Sequence, residues 1–205
     1  MTLGEFCNRA SNILRPDAPT TWDRSDDDMN AKARMIPDGV VPKAAAVLVG
    51  VLENSGPCVL LTQRHGGLTN HAGQIAFPGG RLDAGETPLE AALREALEET
   101  GLESRFVEHL GYLDGYLTVT GYFVVPVVAR ILPGFVLTPQ VDEVDEIFDV
   151  PLAFLLDAGN RETESREWNG LKRSYYVYPY EKRRIWGATA GMIKNLSDRF
   201  QHAEA

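Results

Sequence analysis

Cysteine is nearly absent: Cys7 and Cys58 are the two in 205 residues. A single bridge between them stays open, but a disulfide framework and a zinc site built on paired cysteines are excluded. Positive charge is also scarce. Lys and Arg total 20 against 29 Asp and Glu, a formal net charge of -9. Indiscriminate nucleic-acid binding is thereby excluded, because that affinity comes from neutralising phosphates with Lys and Arg. An anionic substrate would need a local remedy, either a basic pocket or bound metal ions. No apolar run is long enough to span a bilayer. The opening Met1-Thr2-Leu3-Gly4-Glu5-Phe6 lacks the basic and apolar stretches of a signal peptide. The expected location is the cytoplasm, with no membrane or nucleic-acid partner.

What is present suffices for a packed core. Hydrophobic residues make up 44% of the chain and charged ones 24%, the balance of a globular protein. A chain of this size buries about 70% of its unfolded surface. We expect residues 1–43 to form an N-terminal helix and extended arm, and residues 44–205 the main domain. Leu3, Phe6, Cys7, Ala10, Ile13 and Leu14 recur at helical spacing. Residues 15–42 are rich in Asp and Pro and show no period. They suit a linker, or an arm lying across this domain or a partner chain, which leaves monomer and homodimer both open.

The main domain reads as a buried strand over 44–52, a turn at Asn54-Ser55-Gly56-Pro57, a strand over 58–64 and a short strand over 74–77 running into Pro78-Gly79-Gly80. A helix over 88–100 is the best-signalled element. Thr87 and Glu90 make a capping box, Pro88 takes the first helical position, and Gly101 supplies the left-handed stop. Further strands are expected at 105–113, 117–130, 144–150 and 174–180, with helices at 152–156 and 187–200. Strands outnumber helices without alternating with them, which favours a mixed sheet between helices over a doubly wound parallel fold.

On the helix over 88–100, Leu89, Ala92, Leu93, Ala96, Leu97 and Thr100 should gather on one side, and Glu95, Glu98 and Glu99 on the other. Three carboxylates spaced i, i+3 and i+4 repel one another, and Arg94 alone does not match their charge. A solvated acidic face is the bland explanation. Hard divalent cations such as Mg²⁺ or Mn²⁺ offer a functional one, because they take oxygen ligands and keep positions for water and phosphate. The preceding Gly79 and Gly80 can bring bare backbone close to a ligand. Glu86, in the loop ahead of the cap, is placed to orient Arg94 or reach the metals.

Gly80, five residues, Glu86, seven residues and then Arg94-Glu95-Ala96-Leu97-Glu98-Glu99-Thr100-Gly101-Leu102 resemble the complete Nudix box. That box is the signature of hydrolases acting on a nucleoside diphosphate linked to another group. The resemblance implies an α/β/α sandwich with a central mixed sheet and a catalytic loop-helix. It also implies a metal set of Glu95, Glu98, Glu99 and the Gly80 carbonyl, holding Mg²⁺ or Mn²⁺. The catalytic set it implies is Glu86, Arg94, Glu95, Glu98 and Glu99. The general base varies across the family between a box glutamate and one from a later loop. Asp142-Glu143-Val144-Asp145-Glu146 is such a loop here, and Glu143 is the first choice; its bland alternative is an exposed acidic turn.

Upstream, Leu60-Leu61-Thr62-Gln63-Arg64, six residues, and His71-Ala72-Gly73-Gln74-Ile75-Ala76-Phe77-Pro78-Gly79-Gly80 resemble the extra motif of the coenzyme A pyrophosphatase branch. That branch releases 3′,5′-ADP and a 4′-phosphopantetheine product. Similarity continues at Thr120-Gly121-Tyr122, Val125-Pro126-Val127-Val128 and Ile185-Trp186-Gly187. The chain departs from the branch at His65, where serine is common, at Thr69, where a basic residue is common, and in keeping the general box spacing. Arg64 and Arg81 are the candidates to meet the 3′-phosphate, with the Gly79-Gly80 backbone alongside; His71 either touches a phosphate or caps a turn. Tyr176, Tyr178 and Tyr180 near Lys182-Arg183-Arg184 read as one face of a strand rather than an RNA-stacking platform. Hydrolysis of ADP-ribose, another dinucleotide or a nucleoside triphosphate stays open, as does a non-catalytic ligand-binding module.

Overall fold

The computed structural model of the chain describes residues 1–67, 72–168 and 170–202. In chain order the elements are α1 (Leu3–Ile13), β1 (Trp22–Ser25), β2 (Lys43–Glu53), β3 (Pro57–Arg64), β4 (Ile75–Ala76), β5 (Gly79–Arg81), α2 (Pro88–Thr100), β6 (Val107–Tyr112), β7 (Gly115–Leu117), β8 (Tyr122–Ile131), β9 (Val144–Pro151), α3 (Leu152–Leu156), β10 (Glu162–Trp168), β11 (Leu171–Tyr180), β12 (Arg183–Trp186) and α4 (Ala188–His202).

Strands β1 to β9 form one mixed sheet and β10 to β12 a smaller antiparallel one. At the centre of the larger sheet β2 runs parallel to β8, from Lys43 against Tyr122 to Val51 against Arg130. It is antiparallel to β3 on its other side. Its side chains alternate between two cores, as a strand covered on both faces must. Ala46 and Leu48 join Ala91, Ala92 and Ala96 of α2 on one face. Ala45, Val49 and Val51 join Phe6, Ile193, Leu196 and Phe200 on the other, where α1, α3 and α4 pack. This is a helix–sheet–helix sandwich, as expected.

Residues 1–43 lie across their own chain. The Phe6 ring stacks on Phe200 with centroids 5.0 Å apart. Strand β1 adds to the sheet edge parallel to β7, although residues 15–42 showed no strand period. Asp27 is buried and accepts from Arg173 at 2.8 Å, which ties this segment to β11.

Other expectations are corrected. The strand expected over 117–130 is two strands separated by a turn. Gly121, at φ +83°, donates to the Thr118 carbonyl, and that left-handed position ends the extended run. The strand expected from 105 starts at Val107, after a short 3₁₀ turn over Ser104–Phe106. Strands β10 and β12 were not anticipated. Tyr178 is fully buried, with Tyr176 and Tyr180 packed against the same core, in keeping with a strand face.

Candidate active site

Local sequence builds α2 as its caps dictate. Thr87 Oγ1 accepts from Glu90 N, the Glu90 carboxylate accepts from Thr87 N, and Gly101 closes the helix at φ +72°. The buried face, however, is Ala91, Ala92, Ala96, Glu99 and Thr100. Leu97 is 49% exposed and Glu99 only 3%. The expected division into an apolar side and a side shared by all three glutamates is therefore corrected: Glu98 faces outward, Glu95 is half-buried against Gly80, and Glu99 turns into the angle between helix and sheet. Small Ala92 and Ala96 let the helix approach β2 and β5 closely enough for Glu99 to be enclosed.

Two close approaches bring the glycines to the glutamates. Strand β5 pairs antiparallel with β2, with Gly80 opposite Ala46. A Cβ on Gly79 would fall 2.4 Å from the Ala46 carbonyl oxygen, and one on Gly80 would fall 2.3 Å from Glu95 Oε1. Gly79 N donates to Glu99 Oε2 at 3.1 Å. Arg64, at the end of β3, reaches Glu99 Oε1 from the other side, at 3.4 Å.

Arg94 is the hub of the exposed half. Its Nε and Nη2 donate to the two oxygens of Glu86 at 2.9 and 3.0 Å. Its Nη2 also donates to the Arg81 carbonyl at 2.9 Å, and its Nη1 reaches Glu95 at 2.9 Å and Glu98 at 3.2 Å. This paired fork and the Asp83 N–H hold the Glu86 carboxyl below its ordinary range. Glu86 thus orients Arg94, one of the two roles open to it from sequence. Arg81 itself is exposed.

Glu143 sits just ahead of β9, and its charge reaches both Glu95 and Glu99. Burial pushes the Glu99 carboxyl up to about 7; the Gly79 N–H and Arg64 oppose the shift, and Glu95 and Glu143 add to it. Burial also raises Glu95, opposed by Arg94 and reinforced by Glu98 and Glu143. Glu95 and Glu99 are thus partly buried carboxylates that feel one another and the charge of the exposed Glu143, a setting that favours either a shared proton or a cation. Among the described residues no three His, Cys, Asp or Glu side chains stand together as a ready metal cage; Arg94 lies on Glu95 and Glu98, and Arg64 on Glu99. His71 lies outside the described residues. Sequence reasoning named His65 and Asp145 separately and missed their 2.5 Å contact beside Glu143; their separation in the chain left no spacing signal.

Comparison with known proteins agrees with this geometry. A sequence model of the NUDIX domain matches residues 41–168. Over 156 residues the chain is 40% identical to the uncharacterized Nudix hydrolase NudL of Escherichia coli strain K12, covering 76% of this chain and 81% of that protein. The same figures hold for NudL of Citrobacter koseri. A MutT/nudix family protein from Enterococcus faecalis aligns in structure at a TM-score of 0.49 and 19% identity, over 99% of this chain and 74% of that one. With the box intact on α2 and the family match spanning more than half of its length, the chain belongs to the Nudix family, as a pyrophosphohydrolase of nucleoside diphosphate-linked substrates.

Proposed function

We propose that this enzyme hydrolyses coenzyme A or its derivatives to 3′,5′-ADP and 4′-phosphopantetheine. The observation that carries the reading is the contact of Arg64 with Glu99. Arg64 is the residue on which the first half of the upstream motif ends, and Glu99 belongs to the box, so the motif shared with the coenzyme A branch is built into the site itself. Gly79 and Gly80, where that motif ends, lie against Glu99 and Glu95 respectively.

Nudix hydrolases use divalent metals such as Mg²⁺ or Mn²⁺. The donor set here suits such an ion. Glu95, Glu98 and Glu99 are hard oxygen donors, and the Gly80 backbone lies open to Glu95 for want of a Cβ. These four residues would hold it, once Glu95 and Glu98 exchange the Arg94 guanidinium for the metal. When bound, the ion supplies Lewis-acid charge and activates a water molecule. The chain's own groups do the rest. Glu143, whose charge reaches Glu95 and Glu99, takes the proton from the attacking water at a carboxylate oxygen. Arg94, fixed by Glu86 and the Arg81 carbonyl, keeps a cation at the edge of the cluster. Arg64 and Arg81 supply positive charge to substrate phosphates, an effect that a net charge of -9 makes necessary. His71 belongs to the same upstream motif and is assigned to the substrate side.

The test is incubation of the purified protein with coenzyme A and Mg²⁺ or Mn²⁺, following release of 3′,5′-ADP. Absence of product excludes the reading. A departure in the sequence favours a second substrate class: Thr69 stands where the coenzyme A branch commonly has a basic residue, leaving one cation fewer for a 3′-phosphate. ADP-ribose, a dinucleotide and a nucleoside triphosphate therefore belong in the same panel, ranked by kcat/KM.

A further inference from the structure

The segment between β8 and β9 is fastened at two points. At one, Thr138 N donates to the Thr100 carbonyl at 2.8 Å and Gln140 N to the Glu99 carbonyl at 3.0 Å, fixing the segment to the end of α2. Glu143 N and Val144 N then both donate to the Gln140 carbonyl, at 2.9 and 2.8 Å, winding a single tight turn that presents Glu143. At the other point, His65 N donates to the Glu143 carbonyl at 2.8 Å.

Beside this second point the β3–β9 ladder slips. Gln63 pairs with Glu146 and Arg64 with Val144, so Asp145 is the extra residue of a bulge. A bulge re-aims a side chain and is frequent beside active sites. Here it turns the Asp145 carboxylate back onto the end of β3, where Oδ1 lies 2.5 Å from His65 Nδ1 and Oδ2 accepts from Gly66 N at 3.0 Å. Those two contacts hold the Asp145 carboxyl below its ordinary range, so it acts only as an acceptor at neutral pH. An isolated, half-exposed polar side-chain pair contributes little. This one differs in its position, since its three contacts bracket Glu143 within two residues on a strand already bent to make them.

We propose that His65 and Asp145 form a clamp that holds Glu143 toward Glu95 and Glu99, acting as positioning residues for the hydrolytic step. The inference rests on the reading of Glu143 as the base. It also gives a physical role to the histidine that stands where the coenzyme A branch commonly has serine: the imidazole reaches across to the bulge.

A double-mutant cycle on coenzyme A, or on whichever panel substrate the wild type prefers, tests it. Asp145→Ala and His65→Leu should each lower kcat by about tenfold or more and leave KM and melting temperature nearly unchanged. His65→Asn should restore most of the loss, because its side-chain N–H can replace Nδ1–H. On a Glu143→Gln background, Asp145→Ala should cost less than about twofold. Amide exchange at residues 140–145 should accelerate in Asp145→Ala while that of α2 stays slow. An equal loss on both backgrounds, or wild-type kcat in Asp145→Ala and His65→Leu alike, overturns the clamp. Wild-type kcat in Glu143→Gln is a separate result: it overturns the base assignment, and the clamp falls with it.

Discussion

Gly80 and the Glu95 carboxylate share one space: a Cβ on Gly80 would lie 2.3 Å from Oε1, 2.4 Å from Cδ and 2.7 Å from Oε2. All three atoms belong to the tip of a flexible side chain. On Gly79, by contrast, a Cβ would meet the Ala46 carbonyl oxygen at 2.4 Å and Val47 Cα at 2.6 Å, which are backbone atoms of the central strand. The two substitutions should therefore separate function from folding. Gly80→Ala should push Glu95 aside, lowering kcat by about tenfold or more with little change in melting temperature. Gly79→Ala should cost about 1–3 kcal/mol of stability, as overpacking does. Calorimetry and steady-state kinetics on the pair check this; equal stability loss in both contradicts it.

Arg94 and Glu86 act as a unit. Lysine in place of Arg94 keeps the charge and loses the fork, so Arg94→Lys should cost about 1–2 kcal/mol, or roughly 3–6 °C in melting temperature for a chain of this size. Glu86→Gln should do the same, and the double variant should lose scarcely more than either alone. Additive losses would show that the two side chains stabilise the loop independently.

Several features of this fold and site are legible in the chain because they are local. The Thr87–Glu90 box, Pro88 and Gly101 fix α2 through contacts within four residues. The alternation of Ala45, Ala46, Leu48 and Val49 between two cores shows as an unbroken apolar run. What was illegible is non-local. Strand β1 has no apolar period because its residues stay exposed or half-buried at the sheet edge, and its partner β7 lies some ninety residues on. Strand β10 is exposed along nearly its whole length, so no buried face imprints an alternation on it. Period alone put Leu97 inside and Glu99 outside; the reverse holds because Gly79 N and Arg64, from two other strands, give the Glu99 carboxylate partners in the angle. The bulge at Asp145 has no local signal either.

Asp114 links three segments. It pairs with Arg15 at 3.3 Å and with Arg24 at 3.8 Å, and it meets Arg199 and Asn195 of α4. Burial works to raise its pKa, but the hydrogen bonds from Asn195 and Arg199, with the charges of Arg199 and Arg24, outweigh that and leave it below the ordinary aspartate range. A depressed folded-state pKa contributes stability above the unfolded value of about 3.9, and that contribution disappears as pH falls through the folded value. Asp114→Asn should therefore cost about 1–3 kcal/mol at pH 7, and the gap to wild type should close below about pH 4. Denaturant midpoints measured from pH 7 to pH 2.5 check this. A gap that stays constant would mean that the carboxylate's charge contributes nothing.

Metal capture by the three glutamates of α2 is tested by Mn²⁺ binding, followed by loss of the free-ion paramagnetic resonance signal, for wild type and for the combined Glu95→Gln, Glu98→Gln and Glu99→Gln variant. The wild type should bind saturably, and the variant should lose that binding with its melting temperature retained. Equal Mn²⁺ binding by both proteins would contradict it.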